Sequence, residues 1–233
     1  MLNSAQLPLA VRLPDDETFA SFYPGQNAQL ITTLKNAAIG EGVPLIFFWG
    51  SNASGRSHLL HATCAEVSGD EGAAVYISLD RHDQYAPDIL DGMERMPLLC
   101  LDNLDAIAGN RIWEEALFNL FNRWRETSKG SLIISASTAP RKLPLCLPDL
   151  ASRLDWGVSF QLHELDDEGK LGALQLRAAL RGFKLPVDVG RFLLNRVSRD
   201  MRTLLDALDM LDNASLHAQR KLTIPFLKEV LEI

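Results

Sequence analysis

The sequence predicts a three-layer α/β domain with a parallel five-stranded sheet, followed by a small all-α domain. Three features predict it. Five short, nearly unbroken apolar runs alternate with helical stretches, as strands buried on both faces do when helical crossovers join them. A glycine-bounded loop links the first run directly to a helical pattern. Beyond residue 163 the β signal ends, and apolar residues recur only at helical spacing.

The β-type runs are Leu45–Trp49, Ala73–Leu79, Leu98–Asp102, Leu132–Ser135 and Val158–Leu162. Between the third and fourth, Trp113, Ala116, Leu117, Leu120, Phe121 and Trp124 recur with helical period, a stripe that needs an apolar partner. The helical module reads as Leu171–Leu180, Val187–Val197, Met201–Leu211 and Ile224–Leu231, with Pro186 and Pro225 near helix starts. Met201, Leu204, Leu205, Leu208 and Leu211 share one face, so these helices enclose a core of their own. The expected division is an extended tail over 1–15, a base domain over 16–163 and a helical lid over 164–233.

Composition narrows the function. At 233 residues and 47% hydrophobic, the chain buries a substantial core. Its 23 basic residues against 30 acidic ones give a net charge of −7, which speaks against unaided binding to phosphate backbones. The longest apolar runs fall far short of the ~20 residues a membrane span needs. The N-terminus lacks the basic region of a signal peptide and reaches Asp15, Asp16 and Glu17 early, so a cytoplasmic protein is expected. Cys64, Cys100 and Cys146 are few and far apart, as reduced thiols are.

The run Leu45–Trp49 leads into Gly50-Ser51-Asn52-Ala53-Ser54-Gly55-Arg56-Ser57, and a helical pattern follows from His58 to Glu66. Strand, glycine-bounded loop and helix make a phosphate cradle. Asn52 lies in its bend, the amides from Ala53 through Ser54, Gly55 and Arg56 to Ser57 can turn inward at the helix's positive end, and the Ser57 hydroxyl is placed for magnesium. The apolar run Leu98-Leu99-Cys100-Leu101 ends in Asp102, where the second phosphate-loop signature puts a carboxylate beside the metal. Two departures weaken hydrolysis. Arg56 stands where a lysine is usual, and its planar fork suits holding phosphate better than following a transferring group. Asn103 stands where an acid often activates the attacking water, and an amide cannot take its proton. The chain is therefore expected to bind a nucleotide well and to hydrolyse it poorly alone. His58, His61 and Cys64 recur every third residue on one helix but drift around it by about 60° per step. His58 reads as a helix-start residue near the phosphates, and the other two as structural.

Three further segments carry a family likeness. Thr18-Phe19-Ala20-Ser21-Phe22-Tyr23-Pro24-Gly25-Gln26-Asn27 resembles the opening segment of the bacterial replication initiator DnaA, which lies beside the nucleotide base. Leu150-Ala151-Ser152-Arg153-Leu154-Asp155-Trp156-Gly157 resembles that family's arginine-finger box, and Asp200-Met201-Arg202-Thr203-Leu204 its lid sensor. The chain is thus similar to AAA+ proteins of the DnaA type, and within that type to the initiator's short regulatory homologues. One position departs from the pattern: Ser137 stands where the initiators have an acidic first sensor.

The resemblance implies a role for each segment. Phe22, Tyr23 and Pro24 would sit by the base, Arg202 would reach the phosphates, and Arg153 would enter a neighbouring subunit's nucleotide site. The bound nucleotide would be ADP, with Mg2+ at Ser57 and Asp102. In the tail, Gln6-Leu7-Pro8-Leu9 resembles the peptide that docks on the replicative sliding clamp. The implied partners are the ATP form of the initiator and the clamp (the β subunit of DNA polymerase III), with DNA reached only through the clamp, no membrane, and a homodimer as an option. The implied outcome is ATP hydrolysis by the initiator, which prevents over-initiation. Two other readings stay open: a self-sufficient P-loop NTPase or small-molecule kinase, and an AAA+ helicase-loader-like adaptor that binds DNA. Against their ordinary surface roles, Arg153 has Asp149 and Asp155 as candidate ion-pair partners, and Arg202 has Asp206.

Overall fold

The computed structural model describes residues 16–67, 74–127, 130–218 and 220–232. Among these, contacts define two units, one of residues 16–19 and 28–162 and the other of residues 20–27 and 163–232.

The first unit carries β1 (Leu45–Trp49), β2 (Ala74–Ser78), β3 (Leu98–Asp102), β4 (Ser131–Ala136) and β5 (Val158–Gln161). They form one five-stranded sheet in the order β2-β3-β4-β1-β5, with every pairing parallel. The register sets Leu45 beside Leu132, Trp49 beside Ala136 and Ser78 beside Asp102. Because all strands run one way, the loop after β1 and the last residue of β3 open at the same carboxyl edge, where ligands of open α/β sheets bind.

Four helices accompany the sheet: α1 (Ala28–Ala38), α2 (Arg56–Glu66), α3 (Arg111–Thr127) and α4 (Pro148–Leu154). The predicted stripe on α3 buries Trp113, Leu117, Leu120, Phe121 and Trp124 against Leu45, Phe47, Leu99, Leu101, Leu132 and Ile134 of the sheet, and Leu150 and Leu154 of α4 join the same core. Side chains alternate along a strand, so Ile46, Phe48, Cys100 and Ile133, all wholly buried, face the other side. There α2 packs against β2, β3 and β4. Both faces are covered, which explains why these strands read as continuous apolar runs.

The second unit is all helical: α5 (Asp167–Leu180), α6 (Val187–Arg196), α7 (Met201–Ala218) and α8 (Ile224–Leu231). Leu171, Leu174, Val189, Leu193, Leu204, Leu208, Leu211, Phe226 and Leu227 make its separate core. Side-chain oxygens cap three helix starts. Asp166 accepts from Gly169 N at 2.8 Å, Asp200 from Thr203 N at 2.9 Å and Thr223 from Phe226 N at 3.4 Å. The boundary differs from the sequence reading at residues 20–27, which group with the helices. The Asn27 side chain donates to His163 O at 2.9 Å and accepts from His163 N at 2.8 Å, and Tyr23 packs where Gly172 of α5 has no side chain.

No helix among the described residues is long and apolar enough to cross a membrane.

Candidate functional site

The loop between β1 and α2 is built by backbone demands that its sequence satisfies. Gly50 donates its N–H to Ala136 O at 3.2 Å, and a Cβ there would meet Ser54 Oγ at 2.7 Å and Leu162 O at 3.1 Å. Ala53 at φ 60 and Gly55 at φ 97 turn the chain through the left-handed region, and α2 begins at Arg56. The amides of the helix's first turn are the ones that a helix leaves without internal partners. Two polar side-chain atoms of the loop are buried with no hydrogen-bond partner: Ser54 Oγ and Arg56 Nη1. Buried donors of this kind carry a desolvation cost unless a ligand meets them. A cradle closed by glycine and lined by orphaned donors fits an anionic ligand such as a nucleotide's phosphates.

The neighbouring strand end supplies oxygen. Asp102 is wholly buried and accepts three hydroxyls: Ser57 at 2.6 Å and Tyr76 at 2.7 Å on Oδ2, and Ser135 on Oδ1. Burial, the first cause, and the Asp102 charge push the Tyr76 phenol far above its ordinary value, so it remains a donor. Ser57 and Asp102 are hard oxygen donors of the kind that magnesium takes. Asn103 adopts φ 59, a conformation that asparagine tolerates, donates its backbone N–H to Ser135 Oγ at 3.2 Å and its side-chain amide to Asp80 at 2.6 Å. Burial, Asp102 and Asp105 together push the Asp80 carboxyl above its usual range. Asp105 accepts the Ser137 N–H at 2.7 Å and lies 3.7 Å from Arg56 Nη1. Arg56 Nη2 reaches Asn52 Oδ1 at 3.4 Å.

His58 sits in the first turn of α2, and its Nε2 donates to the carbonyl of Thr18 at 2.9 Å. The ring thus ties Thr18 to α2. His61 pairs with Glu17 and meets the Tyr76 ring edge-on at 4.3 Å. Burial raises the Glu17 carboxyl, but the His61 hydrogen bond and charge outweigh it and draw it below its usual value. No cluster of three or more His, Cys, Asp or Glu side chains able to hold a metal occurs among the described residues.

Arg153 lies in the last turn of α4. Its guanidinium stacks over Phe118 of α3 at 4.4 Å and over Trp156 at 5.2 Å, and its Nη1 is buried without a hydrogen-bond partner. Neither candidate ion pair forms. Asp155 is held instead by Arg141 at 2.6 Å, and Asp149 makes no salt bridge with Arg153 among the described residues. Arg125 also stands over Trp156, at 4.9 Å.

Phe22, Tyr23 and Pro24 belong to the second unit, as does Arg202, which is exposed in the first turn of α7 and makes no ion pair with Asp206 among the described residues. Tyr23 lines a cleft of about 440 Å³ together with Gly25, Leu165, Asp166, Gly172 and Gln175. The phosphate loop and Asp102 come together in the first unit. Phe22, Tyr23, Pro24 and Arg202 share only their membership of the second. The tail motif Gln6, Leu7, Pro8 and Leu9 lies outside the described residues.

Several residues that hold these groups were not legible in the sequence. Tyr76 and Ser135 read only as strand positions, yet both donate to Asp102. Glu114 reads as a polar position on α3, yet it is wholly buried and binds three backbone amides, two of them just before α4. A charged residue flanked by Trp113 and Leu117 on the apolar stripe was the one available hint.

Comparison with known proteins follows the same lines. The bacterial DnaA ATPase domain matches residues 13–161, and the lid domain of Hda matches residues 167–231. Domain III of the Thermotoga maritima replication initiation protein DnaA superposes with a TM-score of 0.80 at 21% identity, covering 94% of this chain and 97% of that one. AMPPCP-bound DnaA from Aquifex aeolicus gives 0.72 at 21%, over 88% and 68% of the two chains. The Thermotoga maritima RuvB Holliday junction branch migration motor shares the fold more distantly, at 0.66 and 14% identity, over 88% and 66%. With its larger unit matched along nearly its whole length and its helices matched to a lid, the chain belongs to the DnaA family of AAA+ proteins, of the DnaA/Hda type.

Proposed function

We propose that the protein is an ADP-holding regulator of the replication initiator DnaA. Docked on the DNA-loaded sliding clamp through Gln6, Leu7, Pro8 and Leu9, it meets the ATP form of the initiator and inserts Arg153 into that neighbour's nucleotide site. The initiator then hydrolyses its ATP and is inactivated, which prevents over-initiation of chromosome replication. The protein works in the cytoplasm, touches DNA only through the clamp, and can pair head to tail with a second copy as AAA+ surfaces do.

The observation that carries this reading is Arg153. An arginine that served only its own fold would pair with Asp155, but that carboxylate is taken by Arg141. Arg153 instead rests on two aromatic faces, worth about 0.5–2 kcal/mol, with its hydrogen-bond donors largely unspent. A fork so held leaves its rings at small cost when a phosphate offers charge-assisted bonds, and fingers supplied in trans accelerate hydrolysis by ~10³–10⁵.

The protein's own nucleotide is structural in this account. Ser54, Gly55, Arg56 and Ser57 hold its phosphates, Arg202 supports them, and Phe22 and Tyr23 stand by its base. Ser57 and Asp102 would hold magnesium, which would offset phosphate charge. The likeness in fold to an AMPPCP-bound DnaA from Aquifex aeolicus supports an adenine nucleotide as the ligand. Asn103 cannot deprotonate water, so the protein's own hydrolysis is weak.

Reconstitution tests the reading. ATP-loaded initiator and DNA-loaded clamp are mixed with the full protein or with a form lacking Met1–Leu9. Hydrolysis should rise only with the full protein, and stimulation that survives loss of the tail removes the clamp from the account.

A further inference from the structure

The tip of the phosphate cradle carries more negative charge than its cation can balance. Arg56 is the loop's single cation, 8% exposed, and its Nη1 has no hydrogen-bond partner. That nitrogen is aimed at Asp105, 3.7 Å away. Asp105 does not depend on Arg56 for its position, because the Ser137 N–H fixes its carboxylate at 2.7 Å. Asp80 is fixed in turn by the Asn103 amide at 2.6 Å and lies within electrostatic reach of Asp102, Asp105 and Arg56. Asp102 receives three hydroxyls, none of which brings charge. Asp80 and Asp105 therefore share one guanidinium, and the Asp102 charge lies within reach of Asp80.

Backbone amides can cradle a phosphate at the helix start, but each further phosphate adds charge that side chains must offset. The one cation of the loop among the described residues already answers to Asp105. We propose that Asp105, with Asp80 beside it, is a specificity-determining residue that restricts the cradle to a nucleoside diphosphate by occupying the Arg56 contact a third phosphate needs and repelling its charge. The proposal rests on the reading of the loop as a nucleotide site, and it explains how a fold that accommodates triphosphates settles on the shorter ligand. Both carboxylates are anchored by hydrogen bonds, so neither withdraws when the ligand arrives.

The test is equilibrium binding of ADP and of a non-hydrolysable ATP analogue to the full chain in excess EDTA, for wild type, Asp105→Asn and Asp80→Asn. Asparagine at 105 keeps an oxygen for the Ser137 N–H and removes only the charge. Wild type should prefer the diphosphate at least tenfold. D105N should narrow that ratio at least fivefold, chiefly by tightening the triphosphate, and D80N should narrow it by a smaller factor. A ratio unchanged within twofold in both variants, or an equal loss of both ligands in D105N, overturns the proposal. Should D105N fail to fold, the D80N ratio decides. If neither ligand binds wild type, the nucleotide-site reading falls together with the proposal, a result distinct from nucleotide bound without discrimination.

Discussion

The Glu114 carboxylate accepts the backbone N–H of Leu147 at 2.8 Å across 33 residues of sequence. Its other oxygen takes Gly109 N at 2.7 Å and Cys146 N at 3.0 Å. The bonds to Cys146 and Leu147 fasten α3 to the segment that enters α4, the helix bearing Arg153, and the bond to Gly109 holds the turn before α3. Truncating a buried charge that satisfies several amides costs about 3–5 kcal/mol. Glu114→Ala should lower the thermal midpoint by roughly 10 °C at ~2–4 °C per kcal/mol for a chain of this size. Glu114→Gln, which keeps an acceptor, should lose less. An E114A protein melting within 2 °C of wild type would show that the tie contributes little.

The lid's stability should carry an acid signature from one residue. Asp200 accepts hydrogen bonds from the Thr203 side chain, from Thr203 N and from Ser198 Oγ, and these hold its carboxyl down at about 2. A depressed carboxyl stabilises the fold above its unfolded value near 4, and that contribution fades as pH falls through its folded value. The stability gap between wild type and Asp200→Ala should thus be constant above pH ~5 and close between about pH 4 and 2. Urea melts of both proteins across that range, followed by circular dichroism, measure it. A gap of constant size down to pH 2 contradicts the capping role.

Arg56 should matter to ligand affinity through its charge. Arg56→Ala should weaken ADP at least tenfold, whereas Arg56→Lys, which keeps a cation but loses the fork toward Asn52 and Asp105, should stay within several-fold of wild type. Calorimetric titration separates the two. Equal binding by wild type and R56A would mean that the amides alone hold the phosphates.

What the sequence made legible follows from what is local. β1, β3 and α8 start and stop where patterning places them, because Pro44, Gly50, Pro97 and Pro225 punctuate apolar runs whose period is unambiguous. The cradle was legible because its glycines, Ser57 and Asp102 are fixed by spacing along one strand-loop-helix and one strand end. The supporting contacts were not. Tyr76 and Ser135 reach Asp102 only because parallel pairing sets β2, β3 and β4 side by side, a register that no single segment encodes. Glu114 was hidden for the same reason, since its partners arrive from loops far along the chain. The grouping of residues 20–27 with the helices depends on the two hydrogen bonds between Asn27 and His163, separated by 136 residues.

Arg153 is proposed to serve another subunit's reaction. Single-turnover hydrolysis by ATP-loaded DnaA, with DNA-loaded clamp and either wild type or Arg153→Ala, tests it most directly when ADP occupancy and clamp retention are measured on the same samples. R153A should lose at least a hundredfold of the stimulation while holding its ADP and the clamp as wild type does. Stimulation by R153A within threefold of wild type would contradict it.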